Sequence, residues 1–373
     1  MHSRRRLTID SLRRYAAARS LFPPTTLPRA LQRLGFVQAD PIRAPARAQD
    51  LILRHRVRGY RAGDLEARYG KLGIAEDFFV NYGFVSHRVH DLMHPRSRIR
   101  AWTPSRARRA EALLAFVHER GAVHPREVDA HFGHGTVVNY WGGSSNATTH
   151  LLDLMHYRGL LRVVGRDGGT RIYAPRDVVV DAVPLDAEAK RARIDELVDV
   201  AVGVYAPLPA RALSYLVARL RYAAPQWHGE RPAALRRARA RLVHARVGEL
   251  DWYWPADEDP AHDETDDVVR LLAPFDPIVW DRARFEIFWG WAYRFEAYTP
   301  VSKRKLGYYA LPLLWRGRVI GWGNLAVREG TLHAEMGYVR GAPPRERAFR
   351  TALDAEIERM RRFLRTRSTI EGP

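Results

Sequence analysis

Apolar residues recur at helical spacing in several stretches of this chain, and in two of them a strand-like segment follows. In the clearest stretch, Leu113, Leu114, Phe116 and Val117 recur within 106–120, Gly121 ends the run, and a second, short helix is expected from Pro125 to Phe132. A third helix is expected from about Ala147 to Tyr157, with Leu151, Leu152, Leu154 and Met155 on one stripe and Gly159 closing it. Leu161 to Gly165 and Thr170 to Ala174 then alternate around Arg166-Asp167-Gly168-Gly169, as two strands joined by a Gly-rich turn do. Three helices followed at once by a basic hairpin is the order of a winged helix; the plain alternative is any small α+β module.

A similar order recurs downstream, with helices near 191–203, 209–220 and 232–244 and aromatic-rich strand material from Val247 to Trp254. The N-terminal region repeats it more loosely, with helices near 8–18, 26–34 and 44–57. The repeat is one of element order, without a clear sequence period. Seven of the eleven residues 257–267 are acidic, which reads as a solvated linker or loop in an otherwise basic chain. Beyond it the texture changes to strands: Leu306 to Trp315 is nearly continuous apolar sequence, Val319 to Val327 follows the turn Arg316-Gly317-Arg318, another strand lies near 332–339, and a helix spans 344–366. The expected fold is α+β, mainly α, with tandem winged-helix units followed by a small β-barrel-like C-terminal domain. The expected division is 1–104, a winged-helix-like unit carrying the candidate catalytic motif; 105–182, the middle winged helix; 183–256, a third such unit; and 257–373, the β-rich domain with its terminal helix. A length of 373 residues agrees with two to four compact units.

Charge gives these units a partner. Lys and Arg number 61 against 42 Asp and Glu, a formal net charge of +19. The first sixty residues hold 13 Arg against 3 Asp, so about half of the excess lies in one sixth of the chain. A GC-rich genome would explain the preference for Arg over Lys but neither the sign nor the clustering, and a polyanion such as duplex DNA is the natural partner. With no cysteine there is no disulfide framework, thiolate zinc site or iron–sulfur cluster, and no cofactor or metal is expected. No apolar run is long enough to span a membrane, and Met-His-Ser-Arg-Arg-Arg is not followed by an apolar signal core. The expectation is a monomeric, cytoplasmic, nucleoid-associated protein.

The candidate chemistry lies in Phe36-Val37-Gln38-Ala39-Asp40-Pro41. Alternation after Gly35 turns Val37 and Ala39 one way and Gln38 and Asp40 the other, so an amide and a carboxylate share a face. Arg43, Arg47, Arg54 and Arg56 supply cations on the next element and are candidates for contact with DNA. Such a pair suits hydrolysis of an N-glycosidic bond: the carboxylate stabilises an oxocarbenium-like transition state and takes a proton from water that the amide holds. A base already cationic through alkylation leaves without a general acid. The plain alternative is that Asp40 caps a helix with Pro41 at its first position and that Gln38 is merely solvated. Pattern alone leaves both open.

The segment Leu34-Gly35-Phe36-Val37-Gln38-Ala39-Asp40-Pro41-Ile42, with Arg47 and Leu51 to Arg54, resembles the Gln-x-Asp motif region of the AlkZ/YcaQ-like winged-helix DNA glycosylases. A second block resembles the same family: Leu271-Leu272-Ala273-Pro274-Phe275-Asp276-Pro277-Ile278-Val279-Trp280-Asp281-Arg282, then Tyr293 to Pro300, Lys303-Arg304 and Gly307 to Leu314. The resemblance implies tandem winged helices with a C-terminal barrel, release of bases alkylated at N7, crosslinked guanines included in some members, and Gln38 and Asp40 as the catalytic pair. The Asp places the likeness with the YcaQ branch, since AlkZ has a second Gln there. One departure is Val80-Asn81-Tyr82-Gly83, where that branch has a Trp-Ala-His-Glu-like stretch, which puts the range of lesions in question.

Other positions carry weaker signals. His87, His90 and His94 share one helical face and could ligate a metal, but no acidic ligand is expected beside them, and a surface role is the simpler reading. Ser144, Ser145 or Asn146, after Tyr140-Trp141-Gly142-Gly143, would cap the third helix of the middle unit. Trp280 and Tyr298 could stack on bases, and Lys303, Arg304 and Lys305 form a basic loop suited to phosphate. The rival functions are a non-catalytic winged-helix DNA-binding regulator and a His-dependent metal nuclease.

Overall fold

In the computed structural model, residues 7–97, 99–133, 135–138, 144–176, 185–260 and 266–366 are described. Tyr140 to Gly143 and the acidic Asp263 and Glu264 lie outside them. Contacts divide the chain into two discontinuous compact units: 1–65 with 198–217 and 235–373, and 66–197 with 218–234. Element order suggested four consecutive segments; contacts instead group the N-terminal helices with the C-terminal sheet.

The first unit opens with the helix Ile9–Ser20, started by a reciprocal pair in which Ser11 N donates to Thr8 Oγ1 at 3.1 Å and Thr8 N to Ser11 Oγ at 2.7 Å. The helix Leu27–Leu34 ends at Gly35, whose φ of +70° favours glycine and whose Cβ position would lie a tight 3.3 Å from Val200 Cγ1. After the helix Ala48–Leu53 comes Arg56, fully buried, with both Asp276 carboxylate oxygens accepting from it at 2.8 and 2.9 Å and Ser20 O at 2.8 Å. Asp276 also accepts from Ile278 N at the head of the short helix Pro277–Trp280, so one ion pair joins the start and the end of the unit. Arg54 does the same with Glu356, on the buried side of the helix Arg347–Leu364.

Four antiparallel strands, Arg270–Leu271, Leu311–Trp315, Arg318–Arg328 and Thr331–Tyr338, pair in chain order. The sheet stays open, which corrects the barrel-like expectation. Thr331–Tyr338 ends as a largely solvent-facing edge, and four strands are too few to curl into a filled barrel. The apolar run from Leu306 is also cut in two, because Gly307 takes φ +114° and the strand starts at Leu311. A second sheet orders Leu208–Pro209, Leu250–Trp254 and Val243–Val247. The preceding helix therefore stops at Arg241, earlier than the pattern suggested, since the β-branched Val243 and Val247 frame a hairpin around Gly248.

The second unit contains the hairpin Ile74–Phe78 and Tyr82–Ser86 and the three expected helices, Pro104–Arg120, Pro125–Phe132 and Ala147–Tyr157. Asn146 is the cap of the third, accepting from Thr149 N at 2.8 Å. The expected hairpin follows as Leu161–Asp167 and Thr170–Pro175, with Gly168 and Gly169 both at positive φ, as a tight primed turn requires. Among the described residues no helix is long and apolar enough to cross a membrane.

Candidate active site

The segment after Gly35 is built differently from simple alternation. Phe36, Val37 and Gln38 form a three-residue strand and all three are buried, while Asp40 lies beyond the strand, partly buried. Asp40 caps no helix: the next one, Ala48–Leu53, starts after Arg47. Its carboxylate instead accepts from Ile42 N at 2.9 Å in a local turn. Burial pushes the Asp40 carboxyl above the usual carboxylate range, and the Ile42 hydrogen bond offsets this only in part.

The surroundings of Asp40 come from the far end of the chain. Its charge acts on the hydroxyls of Tyr298 and Tyr309, whose pKa values are raised first by burial and next by the Asp40 carboxylate. Tyr309 is 2% exposed and Tyr298 77% exposed. Phe295 bridges them edge-on, with ring centroids 5.3 Å from Tyr309 and 6.0 Å from Tyr298, and it meets Phe275 at 5.1 Å. Arg282, held against the Tyr293 ring at 4.6 Å, has its pKa lowered by burial and acts electrostatically on Tyr309. The result is an aromatic cluster with one exposed ring at its edge, on whose tyrosine hydroxyls the Asp40 carboxylate acts electrostatically.

The basic loop belongs to this cluster. The buried Glu296 carboxylate accepts from Lys305 N at 2.9 Å and Leu306 N at 2.7 Å, and Arg304 Nε donates to Thr299 O at 2.8 Å. Glycine suits that shape: Gly307 has φ +114°, a Cβ there would clash with the Asn324 side-chain amide, and Asn324 Nδ2 donates to Leu306 O at 2.7 Å. Lys303 and Lys305 are left exposed, and Arg304 lies partly over the Tyr308 ring at 5.1 Å.

The other cations divide sharply. Arg43 is exposed, but Arg47, Arg54 and Arg56 are buried, which corrects the expectation that they meet DNA. Arg54 and Arg56 are consumed by Glu356 and Asp276; sequence shows the cations but not carboxylates more than two hundred residues away. Trp280, expected as a stacking residue, packs half-buried on Tyr205 at 4.7 Å. Sequence reading missed Tyr309, which looks like any other position in an apolar run, and Phe295, a single aromatic between Arg294 and Glu296.

The second unit holds a contrasting cluster. Asp77, His90 and His94 bring their ligand atoms within 4.8 Å of one another, so an acid does accompany the histidines, contrary to expectation. His87 is not among them; its Nε2 pairs with Ile74 O at 3.0 Å. The Asp77 carboxylate is already committed on both oxygens, to Arg96 Nη1 at 2.8 Å and to His94 Nε2 at 2.7 Å, with His90 Nε2 at 3.3 Å. A divalent cation there would displace those donors and sit against a buried guanidinium, so the group fits a hydrogen-bonded network better than a metal site. Burial alone would raise Asp77, but Arg96, His90 and His94 outweigh it and hold the carboxyl well below its usual range. Burial lowers the His94 pKa to about 3, against the pull of Asp77. The stretch that departs from the resemblance turns this same hairpin: Val80 is fully buried, and Tyr82 donates to the buried Glu76 at 3.0 Å, which also receives Arg166.

A family model described as DNA glycosylase AlkZ-like matches residues 31–363. The solved structure of the Streptomyces sahachiroi DNA glycosylase AlkZ is similar over 96% of this chain and 97% of that one, with a TM-score of 0.59 and 13% sequence identity. At that identity the structural likeness is one of fold, and the family rests on the model match.

Proposed function

Because this chain belongs to the AlkZ-like DNA glycosylase family, we propose that Asp40 and Gln38 are its catalytic pair and that its substrate is an N7-alkylated purine in duplex DNA. The observation that supports this reading is the Asp40 carboxylate, partly buried, accepting a hydrogen bond from Ile42 N and raised in pKa by that burial. A carboxylate with a raised pKa is a stronger base, and among the described residues no cation pairs with it to neutralise the charge needed opposite an oxocarbenium ion.

In this mechanism the glycosidic bond breaks as its electrons pass to the cationic base, which leaves neutral. Water adds to the anomeric carbon, Asp40 takes the proton, and the Gln38 amide orients the water. Tyr298, exposed at the edge, is suited to stack on the lesion or its neighbour, since an electron-rich face attracts a cationic ring. Lys303, Lys305 and Arg43 are exposed cations suited to phosphate. The three helices and hairpin of 105–182 are read as a winged helix gripping the backbone, and the protein as a monomer working at the nucleoid. Family membership sets aside the regulator and metal-nuclease readings.

The test is a duplex with a single N7-methylguanine, followed by alkali to reveal abasic sites. Wild type is expected to cleave it, and Asp40→Asn to do so about 10²- to 10⁴-fold more slowly. No product from wild type on this substrate or on nitrogen-mustard adducts would sink the alkylpurine assignment; an unimpaired Asp40→Asn would sink the mechanism alone.

A further inference from the structure

Within the first unit, the segment after the helix Ala48–Leu53 is clamped to the C-terminal helix Arg347–Leu364. Arg54 pairs with the buried Glu356, Ala62 N donates to Phe363 O at 3.0 Å, and the Tyr60 and Phe363 rings stack with centroids 6.3 Å apart. Around this clamp the surface is hollow. A cavity of about 1030 Å³ adjoins a second of about 630 Å³, and Arg61 and Arg362 line both. Among the described residues, eight arginines line the two cavities against two carboxylates, Asp266 and Glu358. Both acids are already spent: Arg270 donates to the two Asp266 oxygens at 2.6 and 2.5 Å, and Glu358 pairs with Arg362 at 3.2 Å and Arg361 at 3.7 Å. Arg58, Arg61 and Arg365 have no carboxylate partner among the described residues, and Arg58 and Arg365 are exposed.

Guanidiniums gathered in a groove without acids of their own repel one another until an anion joins them. Their placement says which kind of anion. Arg58 lines only the first cavity and Arg365 only the second, with Arg61 shared, so the three cations follow one another along the groove instead of converging on a point. A single phosphate needs convergent donors, whereas a phosphodiester strand offers one charge after another. We propose that this groove is a nucleic-acid contact in which Arg58, Arg61 and Arg365 each take a backbone phosphate of one DNA strand. It rests on the DNA partner that family membership supplies and is independent of the catalytic reading of Asp40. The clamp fixes both walls before the strand arrives, so little ordering remains to be done on binding. Contacts of this kind hold the duplex in place and read no bases.

The experiment combines Arg58→Gln, Arg61→Gln and Arg365→Gln and measures affinity for undamaged duplex across a salt series, with Tm alongside and inorganic pyrophosphate titrated in a calorimeter. The slope of log affinity against log salt is expected to be shallower by about 3, with the loss of affinity greatest at low salt. Tm stays the same or rises, because no ion pair is broken. Lysine at the same three positions keeps the charge and is expected to keep the wild-type slope. An unmoved slope in the Gln variant overturns the proposal, and pyrophosphate binding that this variant loses while its duplex slope stays put reassigns the groove to a free phosphate. A slope and a Tm that fall together in both the Gln and the Lys variants overturn it in favour of a structural role. If the triple Gln variant does not fold, Arg58→Gln alone, at an exposed position, is expected to lower the slope by about 1, and no change there is equally fatal.

Discussion

Two aspartates, one in each unit, are the same side chain put to opposite uses. Asp77 is fully buried, yet Arg96, His94 and His90 surround its carboxylate and lower its pKa. Asp40 is less buried, yet it has one backbone donor and its pKa is raised. Depth alone does not decide the state of a carboxylate; what faces it does. Compensated burial locks a fold, and uncompensated burial stores basicity.

The largest expected effect that tests this contrast is on rate. Asp40→Asn should reduce base release about 10²- to 10⁴-fold while leaving Tm equal or higher. The sign follows from linkage: a folded pKa above the unfolded one binds the proton more tightly in the folded state. That stabilisation is full below the unfolded pKa and is lost as pH rises through the folded one. Asn removes the charge and can still accept from Ile42. An Asp40→Asn variant that melts well below wild type would mean that Asp40 is structural.

Asp77→Asn should do the reverse, costing about 3–5 kcal/mol of stability in urea unfolding by stranding Arg96, and Arg56→Ala should cost as much by stranding Asp276. The pH dependence is also inverted. Asp77 contributes fully above the unfolded carboxylate value of 3.8 and loses its contribution as pH falls through its depressed folded pKa. His94, held to about 3 against an ordinary 6.5, destabilises the unit progressively as pH falls between those values. Acid unfolding monitored in the second unit should therefore begin below about pH 6.5, whereas Asp40 pulls the other way. A flat stability profile from pH 7 to 4 would contradict the compensated network.

A smaller effect is expected at the loop between Tyr298 and Tyr309. Gly307→Ala should cost about 1–3 kcal/mol in Tm-derived stability, through positive φ and the clash with Asn324, and lower the rate with it. Smallest of all, Lys303→Ala with Lys305→Ala should reduce the salt slope of duplex binding by about 2 and weaken affinity without changing fold or lesion preference. An unchanged slope would remove the loop from the DNA contact.

The elements of the fold were largely legible, because helix periodicity, Gly stops and the Gly168-Gly169 turn are local signals. The contact-defined units were not, since their continuity depends on pairs such as Arg54–Glu356 and Arg56–Asp276 that no window contains. The same holds for the site. Asp40 could be singled out from its neighbours in sequence, but the raised pKa and the burial of Arg47 are properties of distant packing. The open sheet was misread because successive apolar strands look alike whether or not their edges meet.

The pairing of the chain's early and late segments bears on how the protein is made. Asp40 is translated well before Phe295, Tyr298 and Tyr309, and Arg54 comes 302 residues before the Glu356 that receives it. A nascent chain therefore carries the acid long before it carries the site. On the catalytic reading of Asp40, base excision waits until both segments have been made and have met.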